Sequence, residues 1–283
     1  MMICKLCGGK AFSEQSLFKG STDKYKTEFF KYGRCLTCGS INNLNLNEVD
    51  YADYATGTKI SHLKVKRFER FLEENGIGKN SLILDYGCGN GALFLELKRR
   101  GYLNIQGYEP FNQKYLDSIA KNIKYEVVYL THVFEHIPNY SQFFNILNKI
   151  TAPKAKIITI HPSSTRVPPL DPDCPFQNYN FHAPFHIVIP SDRETINLFL
   201  KNNFILQKHI SYDIQRSGIK DNNKVTALLA KSLGGTKESW LEAGKIKKIL
   251  ALIKSPITFL DKMFFHTRDY YVSTFIFEKN QVD

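Results

Sequence analysis

No run of about 18 or more apolar residues occurs in this 283-residue chain, so no hydrophobic membrane-spanning helix is predicted. The opening MMICKLCGGK has neither the apolar core nor the small-residue cleavage site of a signal peptide, and cytoplasm is the expected compartment. Internal repeats and low-complexity tracts are also missing, which sets aside solenoids and disordered arrays. Acidic residues are scarce, with 27 Asp and Glu against 38 Lys and Arg and a formal charge of +11. The excess is spread along the chain. It suits ordinary solvated lysines as well as it suits nucleic acid, an anionic membrane surface or a phosphorylated substrate. With 43% hydrophobic and 23% charged residues, the composition is that of a globular protein with a sizeable core.

Cysteine is sparse but patterned. Four of the six cysteines form two Cys-x-x-Cys-Gly knuckles, Cys4/Cys7/Gly8 and Cys35/Cys38/Gly39, 27 residues apart. Four thiolates in two such pairs make a closed tetrahedral zinc site with no open position, and so a structural Zn²⁺. The glycines let backbone amides turn toward the sulfurs. A redox pair or an iron–sulfur site is the alternative reading of the same spacing. Residues 1–48 are therefore read as a small zinc ribbon, too short to fold without such a staple. Residues 49–80 are a linker and a helix. The linker tyrosines Tyr51 and Tyr54 pack it onto a domain or fold over a ligand. The helix spans 58–75, with Leu63, Phe68, Phe71 and Leu72 on one face.

From residue 81 strands and helices alternate, which predicts a parallel sheet. Strands are expected at 81–86, 104–108, 126–130, 156–160 and 204–209, and helices at 92–100, 112–121, 141–150 and 195–202. A last strand at 271–277 reads as an antiparallel edge. The first strand runs into Gly87-x-Gly89-x-Gly91 and then a helix, a turn in which backbone can approach a ligand closely and free amides face it. Asp85 precedes the turn, where it can accept from a ligand amine. Glu109 ends the second strand 18 residues after Gly91, where a carboxylate can bind both hydroxyls of a ribose.

Leu84–Gly91 resembles motif I of the class I S-adenosylmethionine (SAM)-dependent methyltransferases. Gly107–Pro110 resembles their second-strand acidic motif. Tyr125–Pro138 resembles their fourth-strand signature in the form typical of small-molecule enzymes, with Glu126 where Asp is usual. The resemblance spans roughly residues 60–210 and the last strand. It implies an α/β, doubly wound, Rossmann-like sheet of seven strands forming a domain over 81–283. It also implies SAM held by Asp85, Tyr86, Gly87, Cys88, Gly89, Gly91, Glu109, Pro110, Thr131 and His132. One departure is visible: only 16 residues separate Glu109 from Glu126, where a helix, a third strand and a further short helix normally fit.

Methyl transfer to a hydroxyl or carbon acid needs a base beyond the strand ends. His132, Glu135 and His136 follow the fourth strand, and architecture is the alternative role for the Glu135–His136 pair. His161 follows the fifth strand. His182 and His186 lie four apart, but Pro184 between them argues for a loop rather than a helical pair of metal ligands. Residues 162–184, rich in proline and aromatics with Asp171 and Asp173, read as a substrate-covering loop, and Cys174 there as a simple thiol. Residues 214–268 read as a helical insertion. Its basic, apolar 244–265 stretch is predicted to be a lid or dimer contact, with a peripheral membrane contact as the alternative.

The ribbon-plus-core layout is similar to bacterial sugar C-methyltransferases and related enzymes of polysaccharide clusters. This predicts a small polar acceptor, a sugar or a nucleotide- or phosphate-linked sugar, with O-methylation favoured. A zinc-ribbon RNA methyltransferase is the alternative enzyme. It is disfavoured because no Asn-Pro-Pro-Tyr-type base-flipping motif is present, so nucleic acid is not the expected partner. A catalytically inactive binding protein is the alternative from another class.

Overall fold

The computed structural model describes residues 2–45, 60–119, 122–212, 214 and 271–280; Tyr51, Tyr54 and the insertion with its 244–265 stretch lie outside them. In chain order the strands are β1 (Phe12–Lys19), β2 (Phe29–Cys35), β3 (Ile41–Asn43), β4 (Ile83–Tyr86), β5 (Ile105–Tyr108), β6 (Tyr125–Thr131), β7 (Thr151–Pro162), β8 (Val188–Ile189), β9 (Phe204–Ile210) and β10 (Val272–Lys279). The α-helices are α1 (His62–Glu74), α2 (Ala92–Arg99), α3 (Tyr140–Ile150), α4 (Pro175–Phe181) and α5 (Asp192–Lys201). These elements fall into two compact units. One contains residues 60–161, the 195–214 region and β10; the other joins residues 2–45 to residues 162–194.

The larger unit is a mixed α/β layer built on a six-stranded sheet of order β5-β4-β6-β7-β10-β9. Four of its six strands, β5-β4-β6-β7, run parallel. Ile83 pairs with Ile105 on one side and with Val127 on the other, and Val128 pairs with Ile157. All four residues of β4 are buried, the apolar signature of a central parallel strand. The chain leaves β4, forms β5 beside it, then crosses to β6 on the opposite flank. That reversal opens a crevice at the carboxyl ends of the strands, where α/β sheets take ligands.

Helix α1 starts at Ser61, whose hydroxyl accepts the Lys64 amide at 3.3 Å, an ordinary N-cap. It buries Val65, Phe68, Phe71 and Leu72 against the sheet. Leu63, read as part of that face, is exposed, and Val65 takes its place. Helix α2 buries Leu93, Phe94 and Leu97 as its spacing predicts.

Three expectations are corrected. The sheet has six strands among the described residues, not seven. The short interval after Glu109 forms a 3₁₀ segment, Gln113–Ile119, in place of the predicted helix, and β5 is the edge where a third strand would add. The last strand, β10, is not an edge. It lies between β7 and β9, antiparallel to β9 with Thr274 opposite Ile210, and Val272 through Phe277 are all buried. The edge on that side is β9, whose Ile205, Gln207, Lys208 and His209 are exposed.

The smaller unit is a four-stranded antiparallel sheet, β1-β2-β3-β8. Its core gathers Phe18, Phe30, Tyr32, Ile41, Val167, Phe181, Ala183 and Ile189. The rings of Phe18 and Phe181 lie 4.5 Å apart, and Tyr32 packs 5.4 Å from Phe181. The buried Tyr32 hydroxyl donates to the His186 carbonyl at 2.9 Å. The residues after β7 thus supply β8 and half of this core. Among the described residues, no helix is long and apolar enough to cross a membrane.

Candidate active site and metal centre

The carboxyl end of β4 delivers Asp85 and Tyr86 into the turn Gly87–Gly91. Gly87, Gly89 and Gly91 all have positive φ, at +78°, +57° and +83°, a region that side chains strain to enter. The amides of Gly87 and Cys88 both donate to the Tyr108 carbonyl, at 2.8 and 3.0 Å, so the turn is pinned to the end of β5. Glu109 lies there too. One carboxylate oxygen accepts from the Gly89 amide at 2.9 Å and the other from Phe111 at 3.2 Å. Phe111, just past Pro110, is exposed.

Asp85 is 3% exposed. Burial pushes its carboxyl up to about 8; the Glu109 charge acts in the same direction and the Tyr129 hydroxyl against it. At neutral pH this buried group carries its proton, and it is set to ionise when a cation arrives. Cys88 is half-buried, and burial likewise pushes its thiol up, with the charges of Asp85 and Glu109 adding to the effect.

Three contributors to this loop escaped the sequence reading. The Asn112 side-chain amide donates to the Gly89 carbonyl at 3.1 Å. The Tyr115 hydroxyl donates to the Asn90 carbonyl at 3.4 Å, and its ring packs edge-on against Phe94 at 5.3 Å. Asn90 caps the start of α2 by accepting the Ala92 amide at 3.1 Å. The shortened interval therefore braces the turn with the 3₁₀ segment. An Asn three residues after the acidic end of a strand was the available signal.

At the end of β6, Thr131 leads to His132, which sits at φ +55° with its amide donating to the Ile160 carbonyl at 2.7 Å. Non-glycine residues hold this conformation only under constraint. The following 3₁₀ segment, Phe134–His136, carries the wholly buried Glu135. His132 Nδ1 lies 3.4 Å from Glu135 Oε1. Burial alone would raise the Glu135 carboxyl, but the His132 hydrogen bond and the charges of His136, His132 and His161 hold it below its usual value. His161 is fully buried, its ring between Phe134 at 5.1 Å and Phe275 at 5.4 Å, with Nε2 3.4 Å from the Thr195 hydroxyl. His132, Glu135, His136 and His161 thus form one group at the carboxyl ends of β6 and β7.

His182 and His186 belong to the four-cysteine unit. Helix α4 ends at His182, at φ +41°, and the next peptide, Ala183–Pro184, is cis. The two imidazole rings meet edge-on at 5.5 Å and both are buried. His182 and His186 both stand outside any helix, as expected of the segment around Pro184.

In the same unit the ligand atoms of Cys4, Cys7, Cys35 and Cys38 all lie within 4.8 Å of one another. Cys4 and Cys38 sulfurs are 3.6 Å apart, as are those of Cys7 and Cys35. Sulfurs about 2.3 Å from one tetrahedral ion would stand roughly 3.8 Å apart, so the cluster fits a single ion. Gly9 N–H and the Asn42 side-chain amide each donate to a sulfur, Cys7 and Cys4 respectively, at 3.4 Å. Such donors stabilise thiolates.

Comparison with known proteins adds the following. A family model described as methyltransferase domain matches residues 58–209. No curated protein matches the chain. Among solved structures, the chain is similar to coclaurine N-methyltransferase bound to N-methylheliamine and SAH, at 18% identity and TM-score 0.44, over 80% of this chain and 75% of that one. A putative sarcosine dimethylglycine methyltransferase from Galdieria sulphuraria is similar at 12% identity and TM-score 0.46, over 76% and 85%. Geranyl diphosphate methyltransferase in complex with SAM is similar at 11% identity and TM-score 0.46, over the same shares.

Proposed function

Because this chain belongs to the methyltransferase-domain family and is a SAM-dependent methyltransferase, we propose that it methylates a hydroxyl of a small polar acceptor, a sugar or a nucleotide- or phosphate-linked sugar, in surface polysaccharide synthesis. SAM, when bound, supplies a methyl group on a sulfonium, open to in-line attack. The chain's own residues do the rest. The Gly87–Gly91 backbone and the start of α2 receive the donor, Glu109 takes the ribose hydroxyls, and Asp85 ionises to meet the ammonium group. Tyr86, Cys88, Pro110, Thr131 and His132 line the same place, and the exposed ring of Phe111 offers an apolar face on the side where the third strand is missing.

The observation that carries the hydroxyl acceptor is the buried Glu135 with three histidines around it. A carboxylate held ionised beside imidazoles fixes their orientation and stabilises the cation formed when one of them takes a proton. His132 and His136 are half-exposed, and the base is assigned to this pair. His161, enclosed by rings, acts as a support. His182 and His186 are assigned to the acceptor side. The positive charge favours an anionic acceptor. The four cysteines hold a structural zinc ion; the matched sulfur distances support this.

The test is a screen of the purified chain with SAM and a panel of nucleotide sugars, sugar phosphates and RNA, following SAH release and product mass. Methylated sugar hydroxyls are expected. SAM binding without turnover on any hydroxylated acceptor would sink the acceptor assignment, and methylated RNA would replace it.

A further inference from the structure

Three successive backbone carbonyls of the second cysteine knuckle each accept a hydrogen bond from a different residue of segment 162–194. The Arg193 guanidinium donates to Thr37 O at 2.7 Å, the Ser191 hydroxyl to Cys38 O at 2.7 Å, and the Ser164 hydroxyl to Gly39 O at 3.0 Å. The Ser191 amide then donates to the Ser40 hydroxyl at 2.9 Å. Ser164 and Ser191 are buried, so water cannot replace these bonds at low cost.

The two feet of the segment are also tied to each other. Ser164 N–H donates to Pro190 O at 2.8 Å, Asp192 N–H to the Thr165 hydroxyl at 2.8 Å, and the Ser163 hydroxyl to the Asp192 carboxylate at 2.6 Å. The Arg166 guanidinium reaches the same carboxylate at 3.3 Å. Residues 164–191 therefore make a closed loop standing on the knuckle, with His182 and His186 on the loop.

The carbonyls that receive the feet keep their direction only while the knuckle keeps its turn. That turn depends on the Gly39 amide bonding Cys35 O at 2.9 Å with Gly39 at φ +78°, and on Cys35 and Cys38 sharing an ion. Without the ion, four sulfurs crowded within 4.8 Å lose their common partner, and a single backbone hydrogen bond, Gly39 N–H to Cys35 O, is left to close the turn.

We infer that the four-cysteine metal centre is the anchor of the acceptor segment, so that metal occupancy sets the order of residues 162–192 and Ser164, Ser191 and Arg193 are its positioning residues. This rests on the metal-site and acceptor-segment readings above. It separates the two substrates: metal loss loosens the acceptor side and leaves SAM binding at Gly87–Gly91 in place.

The experiment is hydrogen–deuterium exchange on the full chain, with metal content and SAM affinity measured on the same samples. Chelation is expected to speed exchange in 162–192 by about tenfold or more, with residues 83–131 unchanged and SAM affinity kept. In the Ser191→Ala/Arg193→Ala double variant, metal is retained and exchange rises at 162–166 and 188–192. Unchanged exchange after proven metal loss overturns the inference, as does full protection in the double variant. A purified chain that never holds metal refutes the metal-site reading instead, and the double variant then decides whether the knuckle anchors the segment.

Discussion

The Glu109 carboxylate accepts the amide of Gly89 at 2.9 Å, so the residue assigned to the donor's ribose also fixes the turn assigned to its methionine end. Removing the charge should be felt at both places. Glu109→Gln keeps the shape but weakens a charge-assisted bond, worth about 1.5–3 kcal/mol, and SAM affinity should fall roughly ten- to a hundredfold. Calorimetric titration with SAM checks this; an unchanged dissociation constant would remove Glu109 from the cofactor site.

Asp85 gives a pH signature. Its carboxyl is pushed up to about 8 by burial, so at pH 7 it is protonated in the free protein. A bound ammonium favours the ionised form, and SAM binding at pH 7 should expel about one proton. Affinity should rise between pH 6 and 8 and level off above. Titrations in buffers of different ionisation enthalpy measure the proton directly, and Asp85→Asn should abolish it. The folded-state value lies above the ordinary 3.8. The contribution of Asp85 to the stability of the free chain is therefore lost as pH rises from about 4 through 8, and Asp85→Asn should remove that contribution.

The Gly87–Gly91 turn was legible because its geometry is local. Three positive-φ glycines and the Glu109 carboxylate that holds Gly89 all lie within a few residues of a strand end, and two Cys-x-x-Cys-Gly knuckles announce themselves by spacing. The missing third strand was legible as a short interval, though not what replaced it: Asn112 and Tyr115 brace the turn through contacts to Asn90 and Gly89 that no periodicity records. The joining of residues 162–194 to the cysteine unit was not legible either. A two-residue strand such as Val188–Ile189 has no pattern, and its partner Ile41 lies about 150 residues away. The interior place of β10 escaped for a related reason, since strand order in a sheet is a property of crossovers and not of any one strand.

The Glu135 carboxylate is buried and held below its usual range by three histidines. It stabilises the fold above the ordinary carboxylate pKa, and this contribution is lost as pH falls through its depressed value. Glu135→Gln should cost on the order of 3 kcal/mol at pH 7, less at acid pH, measured by denaturant unfolding. If the histidines act as base, turnover should fall by about a hundredfold or more with SAM affinity unchanged. A variant with normal turnover would restrict Glu135 to architecture.

Gly87 separates two physical effects that a double substitution can resolve. Its φ is +78°, and a Cβ built there would lie 2.4 Å from Val133 Cγ2 and 3.0 Å from Cγ1. Gly87→Ala therefore meets a left-handed conformation, costing about 1–2 kcal/mol, and a clash with a half-buried neighbour on the adjoining loop. Val133→Ala removes both γ-methyls, so it should relieve the clash without touching the dihedral. In a double-mutant cycle the combination Gly87→Ala/Val133→Ala should be less destabilised than the sum of the singles, with about 1–2 kcal/mol of backbone cost remaining. SAM affinity should follow the same order. Strict additivity would mean that Val133 does not press on the turn, and that only the dihedral demands glycine at this position.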